Sequence, residues 1–162
     1  MNTPIILGVD PGAAGALAAL DAATGALIWV EDMPTLAKAV QAPLVTDLLA
    51  GEIIVAAWVE DLHATAPMGP SSAFRMGQAH GVILGVLGAL RAPLHLVRPS
   101  VWKRGQKVTA DKGSSRRRAI EVWPAYSSYF GRVKDDGRAE AALIARHGMN
   151  ASSLRPFPED GA

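Results

Sequence analysis

The chain has 162 residues, 49% of them apolar, which suits one domain with a sizeable core. It has no cysteine, which excludes disulfides, thiolate metal sites and a cysteine nucleophile, and it has no uninterrupted apolar run long enough to span a membrane. The net charge of +1 hides a division: residues 1–90 hold Lys38 and Arg75 against eight acids, whereas residues 91–134 hold eleven basic residues against Asp111 and Glu121.

In chain order, residues 4–10 read as a buried strand that ends in Asp10. Met1-Asn2-Thr3-Pro4 carries no basic segment before it, so no signal peptide is expected and a cytoplasmic location fits. Pro11-Gly12-Ala13-Ala14-Gly15 is a turn, and residues 15–21 and 25–32 continue as two more strands of a meander. A helix is expected over 35–50, weakened at Pro43. A second buried strand at 53–60 ends in Glu60 and runs parallel to the first, because a helix precedes it. A loop at 61–70 leads to a long helix at 71–91, capped by Ser71 or Ser72. Gly77, Gly81 and Gly85 recur along that helix. Each costs about 1 kcal/mol relative to Ala, so their face is expected to pack closely, by default on the chain's own sheet. A strand at 94–98 follows, then a basic loop at 99–113, a helix at 114–123 capped by Ser114 or Ser115, and a last helix at 136–147 stopped by Gly148. Residues 149–162 read as a tail.

Four acids stand at the ends of apolar segments: Asp10, Glu60, Asp136 and Glu140. Carboxylates at the tips of buried strands are costly unless a cation or several hydrogen bonds compensate them. Asp136 and Glu140 are four residues apart on a helix and share a face, whereas Asp135 points about 140° away from Glu140 and is expected behind the site. Asp61 follows Glu60 and should face the other way. His63 reads as a surface residue and His80 as a structural one. An all-oxygen donor set suits Mg²⁺, and four acids could hold two ions about 4 Å apart, the arrangement that drives in-line displacement at phosphorus. A basic block beside an acidic cluster is what a metal-dependent nucleic-acid enzyme needs, though a solvated basic face has the same composition.

The order of elements resembles the ribonuclease H-like fold, an α/β architecture with a five-stranded mixed sheet flanked by helices, in which the first strand lies beside the one at 53–60. The residues also resemble the RuvC-type Holliday junction resolvases, especially the phage and plastid branch. The resemblance rests on Gly8-Val9-Asp10-Pro11-Gly12, on Val59-Glu60 followed by Ser72-Ala73-Phe74-Arg75-Met76-Gly77-Gln78-Ala79-His80-Gly81, on Pro99-Ser100-Val101-Trp102-Lys103, and on Lys134-Asp135-Asp136-Gly137-Arg138-Ala139-Glu140. It covers about residues 5–148, within a nuclease domain expected over 1–148. One position departs, since relatives in that branch often carry His where this chain has Asp136.

The resemblance implies a Mg²⁺-dependent endonuclease (Mn²⁺ also serving) with two ions per site. Asp10, Glu60, Asp136 and Glu140 would be metal ligands and catalytic residues. It implies a homodimer that cuts branched DNA, a four-way junction, in a bacterial or phage-infected cell, with the helix at 71–91 at the dimer interface. Trp102, Lys103, Arg104, Lys107, Lys112 and Arg116 would then contact DNA, with Trp102 either stacking on it or anchoring the core. Arg116, Arg117 and Arg118 span about 200° of a helix, so at least one of them is solvated or ion-paired. Two alternatives stand beside this reading. One is a branched-DNA-binding protein with a degenerate nuclease site. The other is an ATPase-type phosphate-binding domain built on the turn after Asp10, which would need a second such domain.

Overall fold

The computed structural model describes residues 3–63 and 67–153. Residues 64–66 of the expected loop and 154–162 of the expected tail lie outside the described residues. The elements run β1 (Pro4–Asp10), β2 (Ala16–Asp21), β3 (Leu27–Asp32), β4 (Thr35–Leu36), β5 (Ala39–Val40), α1 (Ala42–Leu49), β6 (Ile53–Glu60), α2 (Pro70–Ala89), β7 (Leu94–Val97), α3 (Pro99–Gly105), α4 (Ser114–Val122) and α5 (Asp136–Ser153). Two 3-10 turns, Pro124–Tyr129 and Val133–Asp135, join α4 to α5. Among the described residues no helix is long and apolar enough to cross a membrane.

Five strands form a mixed sheet in the order β3-β2-β1-β6-β7. The meander is antiparallel, while β6 pairs parallel with β1 and β7 parallel with β6. The expected five-stranded α/β fold is therefore present, with the first strand beside the one that ends in Glu60. Alternation along the strands sorts their side chains between two layers. Leu7, Val9, Ala57 and Val59 pack under α1 and α2, with Val45, Leu49, Ile83 and Leu87. Ile6, Ala16, Ala18 and Leu20 face α5, with Trp102, Phe130, Leu143 and Ile144.

Small residues set how closely α5 lies on the sheet. Ala139, Ala141, Ala142 and Ala145 are fully buried. Of these, Ala141 and Ala145 face Gly8 in the middle of β1, where an added Cβ would stand 2.1 Å from the Ala141 carbonyl oxygen and 2.4 Å from the Ala145 nitrogen. Only glycine fits there, because the obstacle is helix backbone, which cannot move aside as a flexible side chain could.

Several expectations are corrected. The segment 35–50 is not one helix: a hairpin, β4–β5, comes first, turning through Ala37 and Lys38 at φ 50° and 63°. Pro43 sits in the first turn of α1, where its missing N–H costs nothing, so it marks the start of a shorter helix. The basic loop at 99–113 contains α3, for the same reason: Pro99 opens it. Neither serine pair caps its helix. Gly69 precedes Pro70 at the start of α2, and Gly113, in the left-handed conformation, precedes α4. Finally, α5 does not stop at Gly148 but continues to Ser153. Gly148 lies against the indole of Trp58, where a Cβ would be 2.2 Å from Cδ1. Its role is close packing rather than helix termination.

Gly8→Ala should lower stability by about 2 kcal/mol or more, the cost of overpacking against backbone that cannot yield, as measured by urea unfolding.

Candidate active site

The parallel register places the acids. Val9 pairs with Val59, so Asp10 and Glu60 follow side by side at the carboxyl ends of β1 and β6. Both belong to the alternation series that faces α5, with Gly8 beneath one and Trp58 beneath the other. Glu140 reaches the same point from the first turns of α5, one residue before the Ala141 carbonyl that crowds Gly8. The close seat of α5 on β1 is thus what brings the third carboxylate down to the strand ends.

These three acids form one electrostatic group. Burial first, then the charges of Glu140 and Glu60, push the Asp10 carboxyl up to about 7, against partial relief from the Gly12 N–H and from Lys103. Burial and Glu140 also raise Glu60, with the Trp102 indole and Lys103 opposing. Glu60 is buried and accepts a 3.2 Å hydrogen bond from Trp102 Nε1. Glu140 accepts a 3.0 Å hydrogen bond from the Ser115 hydroxyl and lies 3.2 Å from Lys103 Nζ. The Lys103 ammonium also stands over the Trp102 ring, 5.1 Å from its centroid.

Asp136 lies at the rim. It is the first residue of α5, its side chain is 51% exposed, and it is paired with Arg116 at 2.7 Å. Asp10, Asp136 and Glu140 line one open cleft of about 820 Å³, whose lining also includes Lys103, Arg104, Lys112 and Ser115. Asp135 is buried away from it. Its carboxylate accepts hydrogen bonds from the backbone N–H of Arg132 at 2.8 Å and from the Arg132 guanidinium. Asp61 turns outward, as expected, and pairs with His63 at 3.0 Å.

A hard divalent cation suits this donor set chemically, because carboxylate oxygens converge with less positive charge than they need. As the side chains stand, no group of three or more acidic or histidine residues among the described residues is placed to hold an ion. The cationic place is taken by the Lys103 ammonium, and Asp136 is held by Arg116.

The residues expected to contact DNA divide. Trp102 is fully buried, with its indole N–H committed to Glu60, so the stacking role is corrected to a core anchor that orients a carboxylate. Arg104, Lys107 and Lys112 are exposed. Arg116 is ion-paired, Arg117 lies near Asp111 and the Lys112 carbonyl, and Arg118 is tied to Glu121 and the Gln106 carbonyl. Two site contributors were missed from sequence. Ser115 was read as a cap, and Lys103 was read only as a phosphate contact. The signal for Ser115 was its spacing of four from Ala119, which puts both on the buried face of α4.

No family model matches the sequence, and no curated protein matches it. Among solved structures the chain is similar to T. thermophilus RuvC in complex with a Holliday junction substrate, at 18% identity and TM-score 0.67, over 93% of this chain and 96% of that one. It is also similar to a Thermus thermophilus RuvC structure, at 15% identity and TM-score 0.62, over 94% and 99% of the two chains. At such identities the likeness establishes the fold: this chain has the α/β fold of RuvC, ribonuclease H-like as expected.

The Asp10 carboxyl titrates near 7 in the folded protein against 3.8 for the free residue, so the folded state holds its proton more tightly. Without divalent metal, the Asp10 contribution to stability should decline as pH rises from about 4 to about 7 and level off above. Urea unfolding in a chelator at stepped pH should show wild type losing stability relative to Asp10→Asn across that window.

Proposed function

We propose that this protein is a divalent-metal-dependent endonuclease that resolves four-way DNA junctions as a homodimer. The observation that carries this reading is the convergence of Asp10, Glu60 and Glu140 at two parallel strand ends, beside a cleft walled by basic residues. The fold, shared with a RuvC whose structure contains a Holliday junction substrate, supports it.

Asp10, Glu60 and Glu140 would hold Mg²⁺ or Mn²⁺, with Asp136 as fourth ligand once Arg116 releases it. When bound, a pair of such ions supplies a reactive water at neutral pH and offsets charge on the scissile phosphate and its leaving oxygen. The chain's own residues do the rest. Trp102 and Ser115 fix the Glu60 and Glu140 carboxylates through one hydrogen bond each. Lys103, Arg104 and Lys112 supply cations along the cleft wall to position the phosphate chain. Hydrolysis with the 3′ oxygen leaving yields a 5′-phosphate and a 3′-hydroxyl. We place this activity in the cytoplasm of a bacterial or phage-infected cell, where such a substrate lies.

The exposed face of α2 supports a dimer. A Cβ built on Gly77, Gly81, Gly85 or Gly88 meets nothing within 4 Å, so these glycines do not pack on the chain's own sheet as the default expectation had it. Phe74, on the same helix, is 72% exposed. A small-residue helical face with an aromatic at one end suits close approach of a second copy.

A second reading has its own observation. Lys103 on Glu140 and Arg116 on Asp136 neutralise the acids internally, as a junction-binding protein without nuclease activity would require. Incubation of a labelled four-way junction with and without Mg²⁺ separates the two. Metal-dependent cleavage at opposed strands is expected, and it should fall below detection in Asp10→Asn while junction binding persists. Binding without cleavage in either Mg²⁺ or Mn²⁺ favours the second reading. Sedimentation should show a dimer, with Gly81→Glu shifting it to monomer.

A further inference from the structure

The first 90 residues contain only two basic side chains, Lys38 and Arg75, against eight acids. The fold brings both to one place. They line a cavity of about 360 Å³ between the turn after β1, the β4–β5 hairpin and the first half of α2, together with Ala13, Ala39 and Gln78. No carboxylate lines it. Among the described residues neither cation has a hydrogen-bond or ion-pair partner, whereas Lys103 in the acid cleft is held by Glu140 and Arg116 by Asp136. Two unpaired like charges facing one cavity repel each other, and in an otherwise acidic half of the chain an anion is the complement.

The hairpin tip presents one of them at a conformational cost. Ala37 and Lys38 occupy consecutive left-handed positions, where non-glycine residues are strained and Asn-Gly would be favoured. Gln78 adds an amide donor. The cavity also adjoins the acid cleft: Ala13 lines the one and the next residue, Ala14, lines the other. The notch is bounded by α2, which packs on one face of the sheet, and the cleft by α3, α4 and α5, which pack on the other.

We propose that Lys38 and Arg75 form a phosphate-binding notch that takes a DNA backbone phosphate beside the scissile one, on the side of the Asp10 turn away from α3 and α4. The strand being cut then runs from the basic wall, over the acids, across the turn and into the notch. This rests on the nuclease reading for its ligand, but not on cleavage taking place.

The test is binding of a labelled four-way junction and of a linear duplex, each over a series of salt concentrations, by wild type, Lys38→Ala, Arg75→Ala and the double variant. Both side chains are exposed, so circular dichroism should show unchanged folding. Removing one cation from a phosphate lowers the slope of log K against log salt by about 1, so the slope of the double variant should be smaller by about 2. Lys38→Arg should keep the wild-type slope. Arg91→Ala, at the opposite end of the sheet, is the control and should also keep it. Unchanged slopes in the double variant on both DNAs overturn the notch, as does an equal reduction in Arg91→Ala, which would reflect net charge alone. Equal wild-type affinity for junction and duplex, with slopes that still fall, would instead overturn junction selectivity and leave the notch standing. Failure of wild type to bind either DNA overturns both.

Discussion

The backbone contact between α5 and β1 at Gly8 is the constraint on which the rest of the site depends. Helices usually ride on a sheet at a distance set by side chains from both surfaces. Here one surface contributes a glycine and the other Ala141 and Ala145, so the helix settles onto strand backbone. That seat lowers Glu140 to the level of the strand ends. The β1–β6 register then sets Asp10 beside Glu60. A bulkier residue at position 8 would lift α5 and pull the third carboxylate away from the other two.

Close packing creates an electrostatic cost that the surroundings only partly offset. Three carboxylates share a semi-enclosed corner with one ammonium, one indole N–H, one hydroxyl and the Gly12 amide. The result is a carboxyl at Asp10 that holds its proton to about neutrality. Burial and like charge together, rather than either alone, raise this carboxyl. The basic segment 99–118 supplies both the resident cation, Lys103, and further cations, Arg104 and Lys112, in the lining of the cleft. One stretch of sequence therefore neutralises the acids and frames the cleft above them.

Much of this was legible in the residues. Strands 4–10 and 53–60 were visible as short apolar runs, and their parallel pairing followed from the helix between them. The four-residue spacing of Asp136 and Glu140 and the outward turn of Asp61 followed from helix and strand periodicity. The misplaced helix starts have a common source. Pro43, Pro70 and Pro99 each open a helix, but a proline reads equally well as an interruption or as a loop until its neighbours' hydrogen bonds are known. Gly148 is compatible with a helix stop, yet the packing of Trp58 outweighs a glycine's cost of about 1 kcal/mol. Trp102 carries no local mark that distinguishes a buried indole from an exposed one.

By itself, then, the sequence determined the strand-end acids, the mixed α/β order and the separation of an acidic half from a basic segment. These are written in period and charge, which are local. Tertiary structure alone decided which acids meet and what each is held by. Asp10, Glu60 and Glu140 converge, while Asp136 stays at the rim with Arg116. It also decided that Lys38 and Arg75, distant along the chain, face one cavity. The reason is physical: partner choice among charged side chains depends on distances of a few ångströms, and those are set by how closely a helix can sit on a strand.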